Sequence, residues 1–369
     1  MQRLIFYGMI ILLVVLLVVL LDVIIYWLLR IFMPKAMVHT VNAVIVIAAL
    51  LGISIAAWWG HSHTRMQIVV NHVEVPSPRL PEAFDGFRIA QISDFHLDSF
   101  GLDEGRAFIS RIADTLQAQQ PDLIVFTGDL VTIRAAESYP FSDALSAISH
   151  IRQRDGEGYV PVYSILGNHD YADYVRGYTP RQRYLDIDSL IALQQGIGWH
   201  MLKNSSVRLS RQRNDSVRQE IILAGVENIG EPPFSTYGDL DLTFQPVGGL
   251  SAVESLFTVL LTHNPTHWRR EVLPRTCIDL SLAGHTHATQ VLIGSWSPAQ
   301  WKYSEWMGLY DSRHQAEDTS LPYPEKQTDV ETPQYLYVNT GIGCVGPAVR
   351  IGIPPEVTVL TLVAARPQR

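Results

Sequence analysis

The most informative segment of the sequence is FRIAQISDFH at residues 87–96. Its apolar run predicts a buried strand that leads directly into Asp94 and His96. Four later apolar runs end in the same way, with GD at 128–129, GNHD at 167–170, THN at 262–264 and GHTH at 284–287. Side chains just past the carboxyl ends of strands in one sheet converge on a shared edge, where α/β proteins place their sites. The pattern therefore predicts one polar site built from five loops.

The rest of the chain after residue 65 alternates short β-branched runs with helical patterns. This alternation is typical of a layered α/β or α+β domain. Residues 296–333 lack clear periodicity and predict a long loop or cap. We expect strands at 88–93, 122–127, 160–166, 221–224, 258–262, 278–283, 335–338 and 357–363, and helices at 104–119, 142–152 and 189–196.

The amino-terminal region is far more apolar than the rest. Residues 4–21 are 18 consecutive uncharged positions, and residues 36–60 are a second run of 25. Each run is long enough to cross a bilayer as a helix, so we expect spans at about 4–29 and 37–59, paired in a hairpin over residues 1–62. A cleaved signal peptide is the competing interpretation of the first run, although its apolar core of about 7–15 residues would be shorter. Basic residues on both flanks leave the membrane side open.

Composition and charge restrict the function classes. The 369 residues are 47% hydrophobic, which excludes a wholly disordered protein. The formal net charge is −8, and because residues 1–65 carry +3, the remainder carries −11. An acidic domain argues against broad phosphate neutralisation, so no nucleic-acid partner is expected. The two cysteines, Cys277 and Cys344, have no paired metal or redox spacing.

The five predicted loops together supply a characteristic set of side chains. Any single motif is weak, because an Asp-x-His is common in turns and a lone histidine is more often an ordinary hydrogen-bonded group. Taken together, however, two carboxylates, one amide oxygen and four imidazoles match the ligands of two divalent cations. These side chains are Asp94, His96, Asp129, Asn168, His263, His285 and His287, and His169 adds a further imidazole.

The order of these motifs, D-x-H, G-D, G-N-H-D, a lone H and G-H-x-H, resembles the calcineurin-like metallophosphoesterase superfamily. The opening LPEAFDGFRIAQISD at residues 80–94 and the tail YVNTGIG at 337–343 resemble its membrane-associated bacterial YaeI/YkuE-like phosphodiesterase subgroup. The resemblance covers nearly everything from about residue 70 onward. It implies two mixed β-sheets packed face to face and flanked by helices. We divide the chain into the hairpin 1–62, a linker with a first strand over 63–78, and the metallophosphoesterase domain 79–369.

The resemblance also implies a role for each residue of the site. Asp129 would bridge two metal ions, which could be manganese, iron or zinc. His169 would act at the leaving oxygen, as general acid or as a positive hydrogen-bond donor, and Asp170 would orient its imidazole. A cap on the turn is the alternative for Asp170. The first ion would be held by Asp94, His96, Asp129 and His287, and the second by Asp129, Asn168, His263 and His285.

Three positions depart from the pattern of the family. Thr132 stands where relatives often have Asp or Asn. The substitution puts in question a hydrogen bond that would support one of the metal ligands. Ala288 and Thr289 stand where the subgroup usually has two glycines, so we expect either a less free backbone there or a side chain that narrows the pocket. The segment 227–228 reads Glu-Asn where many relatives carry an acidic pair, so a contact to the substrate is expected to differ.

These features predict a membrane-anchored enzyme with two metal ions that hydrolyses a phosphodiester or pyrophosphate. An anchored domain at a bacterial plasma membrane crossed twice acts near lipid, so a lipid-linked substrate is expected. The resemblance implies a UDP-diacylglucosamine-type lipid A precursor as an example, since some members of the wider superfamily cleave its pyrophosphate. The alternatives are a phosphomonoesterase and a tethered scaffold without catalysis; two spans with one acidic residue offer little polar path for a transporter. The aromatic residues within 296–310 either contact lipid or pack a cap onto the domain.

Overall fold

The computed structural model describes residues 2–154, 156–212, 217–231, 235–314 and 332–365. Its main elements alternate between helices and strands after two long amino-terminal helices. The helices are α1 (Gln2–Phe32), α2 (Lys35–Ser62), α3 (Leu102–Gln119), α4 (Ser142–Ser146), α5 (Pro180–Gly196), α6 (Leu240–Phe244), α7 (Leu250–Ser255) and α8 (Leu273–Arg275). The strands are β1 (Val69–Ser77), β2 (Arg88–Ile92), β3 (Leu123–Phe126), β4 (Val162–Ser164), β5 (Trp199–Met201), β6 (Ser205–Arg211), β7 (Gln219–Gly225), β8 (Thr258–Leu261), β9 (Leu280–Ala283), β10 (Gly308–Asp311), β11 (Tyr335–Val338) and β12 (Glu356–Ala364).

The strands form two mixed six-stranded sheets, with orders β1-β12-β2-β3-β4-β5 and β10-β11-β9-β8-β7-β6. In the first sheet, β12 is antiparallel to β2, and β2 to β5 run parallel. In the second sheet, β7, β8, β9 and β11 run parallel between two antiparallel edge strands. Parallel strands have their carboxyl ends at one edge of the sheet, so the loops after β2, β3, β4, β8 and β9 can meet.

Apolar side chains between the two sheets form the central layer of the core. Ile89 and Val125 from the first sheet belong to the same buried cluster as Leu223, Val259 and Leu282 from the second. A second cluster packs α3 and α5 onto the outer face of the first sheet, and a third lies on the outer face of the second. Helix α3 packs with one apolar face, which is the usual way a helix covers a sheet. The predicted fold of two mixed sheets with flanking helices is therefore confirmed.

The predicted elements differ from the structure mainly at the sheet edges. Strands β5, β6 and β10 were not predicted, because β5 and β10 are short and β6 has only one buried residue. The helix expected at 142–152 ends as an α-helix at Ser146 and continues as a 3₁₀ turn to His150. The helix expected at 189–196 begins earlier, at Pro180, where the Thr179 side chain caps its first turn.

The two amino-terminal helices carry the residues of the predicted spans. Within the described residues, the segment Met37–Met66 is long and apolar enough to cross a membrane, and only 6% of its most apolar window is buried. Asn42 Nδ2 on α2 donates a 2.6 Å hydrogen bond to Asp22 Oδ1 on α1. One apolar helix of spanning length is thus present, while the hairpin of two spans stays a prediction.

The segment expected to link the helices to the domain is packed against it. The 3₁₀ turn Thr64–Met66 follows α2 directly, and Arg65 is buried, with Nη2 2.6 Å from Glu104 Oε1 on α3. Strand β1 then runs parallel to β12 along its whole length. Within the predicted cap, β10 pairs with β11, and residues 315–331 lie outside the described residues.

Candidate dinuclear metal site

The five strand-end loops meet at the shared edge of the two sheets. The structure brings the side chains of all seven predicted ligands into one buried cluster, in which each ligand lies within 4 Å of another. Two groups within this cluster each place three ligand atoms within 4.8 Å of one another. The groups are Asp94, His96 and His287, and Asp129, His263 and His285.

The Asp129 carboxylate lies between the two groups. Its Oδ2 atom is 3.1 Å from His263 Nε2 in one group and 3.5 Å from His96 Nε2 in the other. Its Oδ1 atom accepts a 2.8 Å hydrogen bond from the backbone N–H of His169. A carboxylate has two oxygens that can serve different cations, whereas an imidazole nitrogen serves one. This position is the one expected of a bridging ligand.

Asn168 joins the second group through its amide oxygen. Asn168 Oδ1 lies 3.0 Å from His263 Nε2 and 2.7 Å from His285 Nδ1. Its amide nitrogen donates in the opposite direction, to the Tyr174 hydroxyl at 2.9 Å. The oxygen of the amide, and not its nitrogen, is therefore directed at the histidines, as a metal ligand requires.

The protonation of the cluster also suits cations. Among the described residues, His96 Nε2 and His287 Nε2 are buried without a hydrogen-bond partner, although carboxylate oxygens lie 3.5 and 3.3 Å away. Burial lowers the pKa of His96 well below its usual value and that of His285 to about 3, so both rings are neutral. Neutral imidazoles and ionised carboxylates are the forms that bind metal. The donor set of oxygen and nitrogen fits two divalent ions.

His263 differs from the other histidines. Burial lowers its pKa, but the nearby Asp129 carboxylate outweighs this effect and raises the pKa to about 9. Burial in turn raises the pKa of Asp129. The neighbouring His263 and His169 together have a larger opposite effect, so the pKa of Asp129 lies well below its usual value. Without a cation, the His263 ring therefore keeps a proton beside Asp129. A metal ion would displace this proton.

Most of the ligands occupy unusual backbone conformations. Non-glycine residues with positive φ are uncommon and cluster at functional sites. In this chain they include Asp94 (53°), His96 (39°), Asp129 (59°), His285 (73°) and His287 (50°). Such conformations cost free energy, so the surrounding fold must stabilise the loops that present these side chains.

The backbone at Ala288 and Thr289, where the subgroup usually has glycines, has positive φ angles. Ala288 has φ 48° and Thr289 has φ 49°, both in the left-handed region that glycine adopts without strain. The expectation of a less free backbone there is consistent with these angles. Ser297 Oγ donates a 2.7 Å hydrogen bond to the Ala288 carbonyl and so helps to hold this turn.

Asp170 does not have the contacts expected of a group that orients His169. Its buried carboxylate accepts hydrogen bonds from backbone N–H groups on two loops. The four donors are Gly167 (2.9 Å), Asp129 (2.8 Å), Leu130 (2.9 Å) and Val131 (3.2 Å). Burial and the Asp129 carboxylate raise the pKa of Asp170 to about 7, while the donors from Gly167 and Val131 act in the opposite direction. Asp170 thus caps the turn and braces the loop that carries Asp129, which favours the alternative role.

The orientation of His169 comes from another group. Its Nδ1 atom lies 2.6 Å from the carbonyl oxygen of Thr132, which fixes a proton on that nitrogen. The ring stacks on Tyr174 at a centroid distance of 4.5 Å and meets His96 edge-on at 4.9 Å. The sequence could not show this contact, because a backbone carbonyl leaves no residue signature.

Thr132, the departure in the second motif, takes part in the site through its side chain as well. Its hydroxyl lies 3.1 Å from His96 Nδ1 and donates to the Asp98 carboxylate. A hydrogen bond to the second ring nitrogen fixes the orientation of a histidine ligand. The contact that the substitution put in question is therefore supplied by the threonine hydroxyl.

The two residues of the departure at 227–228, Glu227 and Asn228, lie in different surroundings. Glu227 faces inward, where Asn204 Nδ2 and the Tyr171 hydroxyl donate to its carboxylate at 3.0 and 3.2 Å. Burial raises the pKa of Glu227. Asn228, by contrast, lines the cavity beside the metal ligands. Only the second position is placed to contact a substrate.

A cavity of about 200 Å³ opens onto the second group of ligands. Tyr303 lines it, with its hydroxyl 3.2 Å from His285 Nε2 and with Lys302 Nζ 4.9 Å from its ring centre. Sequence reasoning missed both as site residues, although they lie in the aromatic segment it singled out. The lining residues are Asn168, His169, Tyr174, Asn228, Gly230, Glu231, Asn264, His285, Lys302 and Tyr303.

Arg350 is another group that the sequence did not reveal. Its guanidinium is fully buried, donates to the carbonyls of Gly343 and Thr340, and has Nη2 3.2 Å from His287 Nδ1. A buried cation that interacts with the Asp94 carboxylate contributes to the electrostatics of the site. An arginine 63 residues from its histidine partner has no local motif by which it could be found.

Gly167 provides a test of how closely the two loops pack. A Cβ atom at this position would lie 2.2 Å from Asp129 Oδ1 and 2.5 Å from the Asp129 backbone nitrogen, so Gly167→Ala should displace the carboxylate together with its loop. Because a displacement of about 1 Å can cost about 10²-fold in rate, we expect kcat/KM to fall by about that factor. Gly196→Ala is the matched control, since a Cβ there has nothing within 4 Å. Equal rates for the two variants would show that the carboxylate position is not critical.

A sandwich of two mixed sheets with two Asp/His groups at its edge defines the metallophosphoesterase class of protein. The sequence pattern of the calcineurin-like phosphoesterase family matches residues 87–289, which is more than half of the chain. The chain therefore belongs to this family. The resemblance drawn from the motifs is confirmed.

Three relatives illustrate the range of similar proteins. A "Transmembrane protein with metallophosphoesterase domain" from Bos taurus is 30% identical over 301 residues, covering 80% of this chain and 57% of the relative. The "Uncharacterized metallophosphoesterase YkuE" of Bacillus subtilis is 27% identical, covering 85% and 93%. The "UDP-2,3-diacylglucosamine pyrophosphatase LpxG" of Chlamydia muridarum is 24% identical, covering 76% and 86%. The chain thus spans little more than half of the bovine protein.

Proposed function

We propose that this chain is a membrane-anchored phosphoesterase with two metal ions, which hydrolyses a phosphodiester or pyrophosphate bond. The observation that carries the proposal is the Asp129 carboxylate, which lies within 3.5 Å of histidines from both ligand groups. The family uses a dinuclear metal centre, in agreement with two groups of ligands. One ion would be held by Asp94, His96, Asp129 and His287, and the other by Asp129, Asn168, His263 and His285.

The bound ions and the side chains of the site would have separate roles in hydrolysis. When bound, the two divalent ions supply Lewis-acid chemistry, which activates water and neutralises phosphate oxygens. Manganese, iron and zinc all suit mixed oxygen and nitrogen ligands. Asp170 holds the Asp129 loop in place, and the Thr132 carbonyl holds Nδ1 of His169 at the cavity, which leaves Nε2 available for a substrate oxygen. A His169 ring that is protonated on both nitrogens can then give its Nε2 proton to the leaving oxygen and keep the Nδ1 proton on the Thr132 carbonyl.

The role of His169 is tested by His169→Ala. Removing a general acid typically costs about 10²–10⁴-fold, so we expect kcat for a phosphodiester with an alkyl leaving group, which needs the proton, to fall by at least about 10²-fold with Mn2+ present. Bound metal, counted by mass spectrometry, should not change, because His169 lies outside both groups of ligands. The exposed His200 provides the control variant His200→Ala. A normal rate in His169→Ala would remove the general acid from the proposal, and loss of metal would make His169 a ligand.

The proposed anchor is the hairpin of α1 and α2 over residues 1–62, in a bacterial plasma membrane. Large apolar side chains on both helices are exposed, including Leu28 and Ile47 at 55 and 65%. The hydrogen bond from Asn42 to Asp22 supports pairing, since polar contacts between helices stabilise association in lipid. Residues 63–78 would form the docked connection with β1, and 79–369 the catalytic domain. Retention of the chain in membranes after alkaline carbonate extraction tests this anchoring.

The proposed substrate is a lipid-linked phosphodiester or pyrophosphate. The anchor keeps the cavity near lipid, and a relative from Chlamydia muridarum is named a UDP-2,3-diacylglucosamine pyrophosphatase. We therefore expect release of UMP from UDP-2,3-diacylglucosamine in mixed micelles, faster than from UDP-glucose. Hydrolysis of p-nitrophenyl phosphate alone would instead favour a phosphomonoesterase. Metal binding without hydrolysis of any of these compounds would favour a scaffold.

A further inference from the structure

We propose that Ile293, Trp296 and Trp301 form a second membrane contact, which enters the lipid–water interface beside α2 and holds the cavity at the lipid surface. We call these three residues the interfacial patch. The partner is the bilayer that the anchor enters. The membrane contact rests on the proposed anchor, and the access route for the substrate rests on the proposed phosphoesterase activity.

The interfacial patch is exposed although its residues are large and apolar. The exposed fractions are 62% for Ile293, 39% for Trp296 and 80% for Trp301. The two indole rings are 5.4 Å apart, edge to face, so they form one continuous apolar surface. Contiguous exposed apolar patches mark interaction sites, and tryptophan is enriched at membrane interfaces.

The backbone beneath the interfacial patch is well fixed. Ile293 and Trp296 exchange hydrogen bonds of 2.9 and 3.1 Å across a two-residue turn. The 3₁₀ turn Pro298–Trp301 follows, and it is capped by the buried Ser297 side chain. Packing of a cap onto the domain explains Tyr303 in the same segment, which is buried, but it does not explain the exposed Trp301.

Direct contacts connect the interfacial patch to the end of α2. Leu292, next to Ile293, donates its N–H to the carbonyl of Ile351 at 2.8 Å. The neighbouring Arg350 N lies 3.4 Å from the carbonyl oxygen of Gly60 on α2. Since successive Cα atoms are 3.8 Å apart, the patch begins within roughly 20 Å of Gly60. The patch is thus close to the helix end that we place at the membrane surface.

The end of α2 is rigidly attached to the domain. A Cβ atom at Gly60 would lie 2.8 Å from the Arg350 carbonyl oxygen, so helix and loop touch closely. His61 Nδ1 lies 2.8 Å from the carbonyl oxygen of Ala348. At the same end of the helix, Trp58 and Trp59 are 60 and 51% exposed, as interfacial residues are expected to be. A fixed helix end and a fixed patch can therefore contact one bilayer surface together.

The interfacial patch also adjoins the cavity. Trp301 is followed directly by Lys302 and Tyr303, which line it, and the Tyr303 hydroxyl lies 3.2 Å from His285 Nε2. A lipid in the contacted leaflet could place its phosphate group beside Lys302 while its acyl chains stay in the bilayer. The substrate class that fits this arrangement is a membrane lipid with a phosphodiester or pyrophosphate headgroup.

The membrane contact is tested in the full chain reconstituted into vesicles of phosphatidylcholine and phosphatidylglycerol. In a Cys277→Ser background, where the remaining Cys344 is buried, Trp301→Cys is labelled with an environment-sensitive NBD fluorophore. The control is Val217→Cys. Val217 is 83% exposed and lies by β7, which pairs with the edge strand at the end of the second sheet opposite to β10. We expect blue-shifted emission and quenching by spin-labelled lipid at 301 but not at 217. Equal, water-like emission at both sites, or failure of the protein to float with the vesicles, would overturn the proposal.

The effect on substrate access is tested by Trp296→Ser combined with Trp301→Ser. We expect about a tenfold lower kcat/KM for a pyrophosphate lipid in vesicles, equivalent to about 1.4 kcal/mol, and an unchanged value for soluble bis-p-nitrophenyl phosphate. Val217→Ser is the control for loss of an exposed apolar side chain. An equal reduction with both substrates would contradict a membrane role. If the unaltered chain cleaves neither substrate, the proposed function fails, whereas the fluorescence result still decides the membrane contact.

Discussion

Asp129→Ala should abolish metal-dependent hydrolysis, lowering kcat for bis-p-nitrophenyl phosphate by at least about 10³-fold. The carboxylate lies between the two ligand groups, 3.1 Å from His263 Nε2 and 3.5 Å from His96 Nε2. Its removal takes one ligand from each proposed ion. Because metal ions contribute several kcal/mol to stabilising the transition state, and about 1.4 kcal/mol is a factor of ten, a loss of this size follows.

The same variant should also bind less metal, which separates a ligand from a residue that acts only in catalysis. Bound manganese is counted in the full chain in detergent after removal of free metal. Asp188→Ala, an exposed carboxylate on α5, provides the control and should match the unaltered chain in both rate and metal content. A folded Asp129→Ala protein that retains two ions and its rate would contradict the bridging role.

Asp170→Ala should have the largest effect on stability, lowering the free energy of unfolding by about 3–5 kcal/mol. The substitution leaves the backbone N–H groups of four residues without their buried acceptor, and each unsatisfied group costs about 1–3 kcal/mol before the site relaxes. The loop carrying Asp129 should shift as a consequence, so activity should fall as well.

Chemical denaturation of the detergent-solubilised chain measures this effect. Asp170→Asn keeps one acceptor oxygen and is expected to lose less stability than Asp170→Ala. His169→Ala is the informative comparison. The His169 ring is partly exposed and does not accept hydrogen bonds from the Asp129 loop, so the stability of this variant should change little. If Asp170→Ala were as stable as the unaltered chain but inactive, a direct role beside the His169 imidazole would be restored.

The sequence predicted which side chains lie together, because the proposed ligands follow strands. A buried β-branched strand is readily identified, and Asp94, Asp129 and His263 come immediately after one. The parallel arrangement of the strands then brings distant motifs to one edge. The motifs and the parallel strands were therefore enough to predict that these side chains lie together.

Other parts of the site depend on contacts that leave little trace in a sequence. The partner of His169 is the carbonyl of Thr132, which any residue could supply. Arg350 reaches His287 across 63 positions, and the half-buried edge strand β6 lacks a buried apolar pattern. Asp170 follows the predicted motif, but only the structure shows that its oxygens accept four backbone donors.

The central claim is tested most directly by titrating the metal-free full chain with Mn2+ in detergent while measuring hydrolysis of bis-p-nitrophenyl phosphate. The two ligand groups that share Asp129 predict no hydrolysis without metal and a rate that saturates when two ions are bound per chain. A rate that is independent of metal, or one that saturates at a single ion, would contradict a dinuclear phosphoesterase.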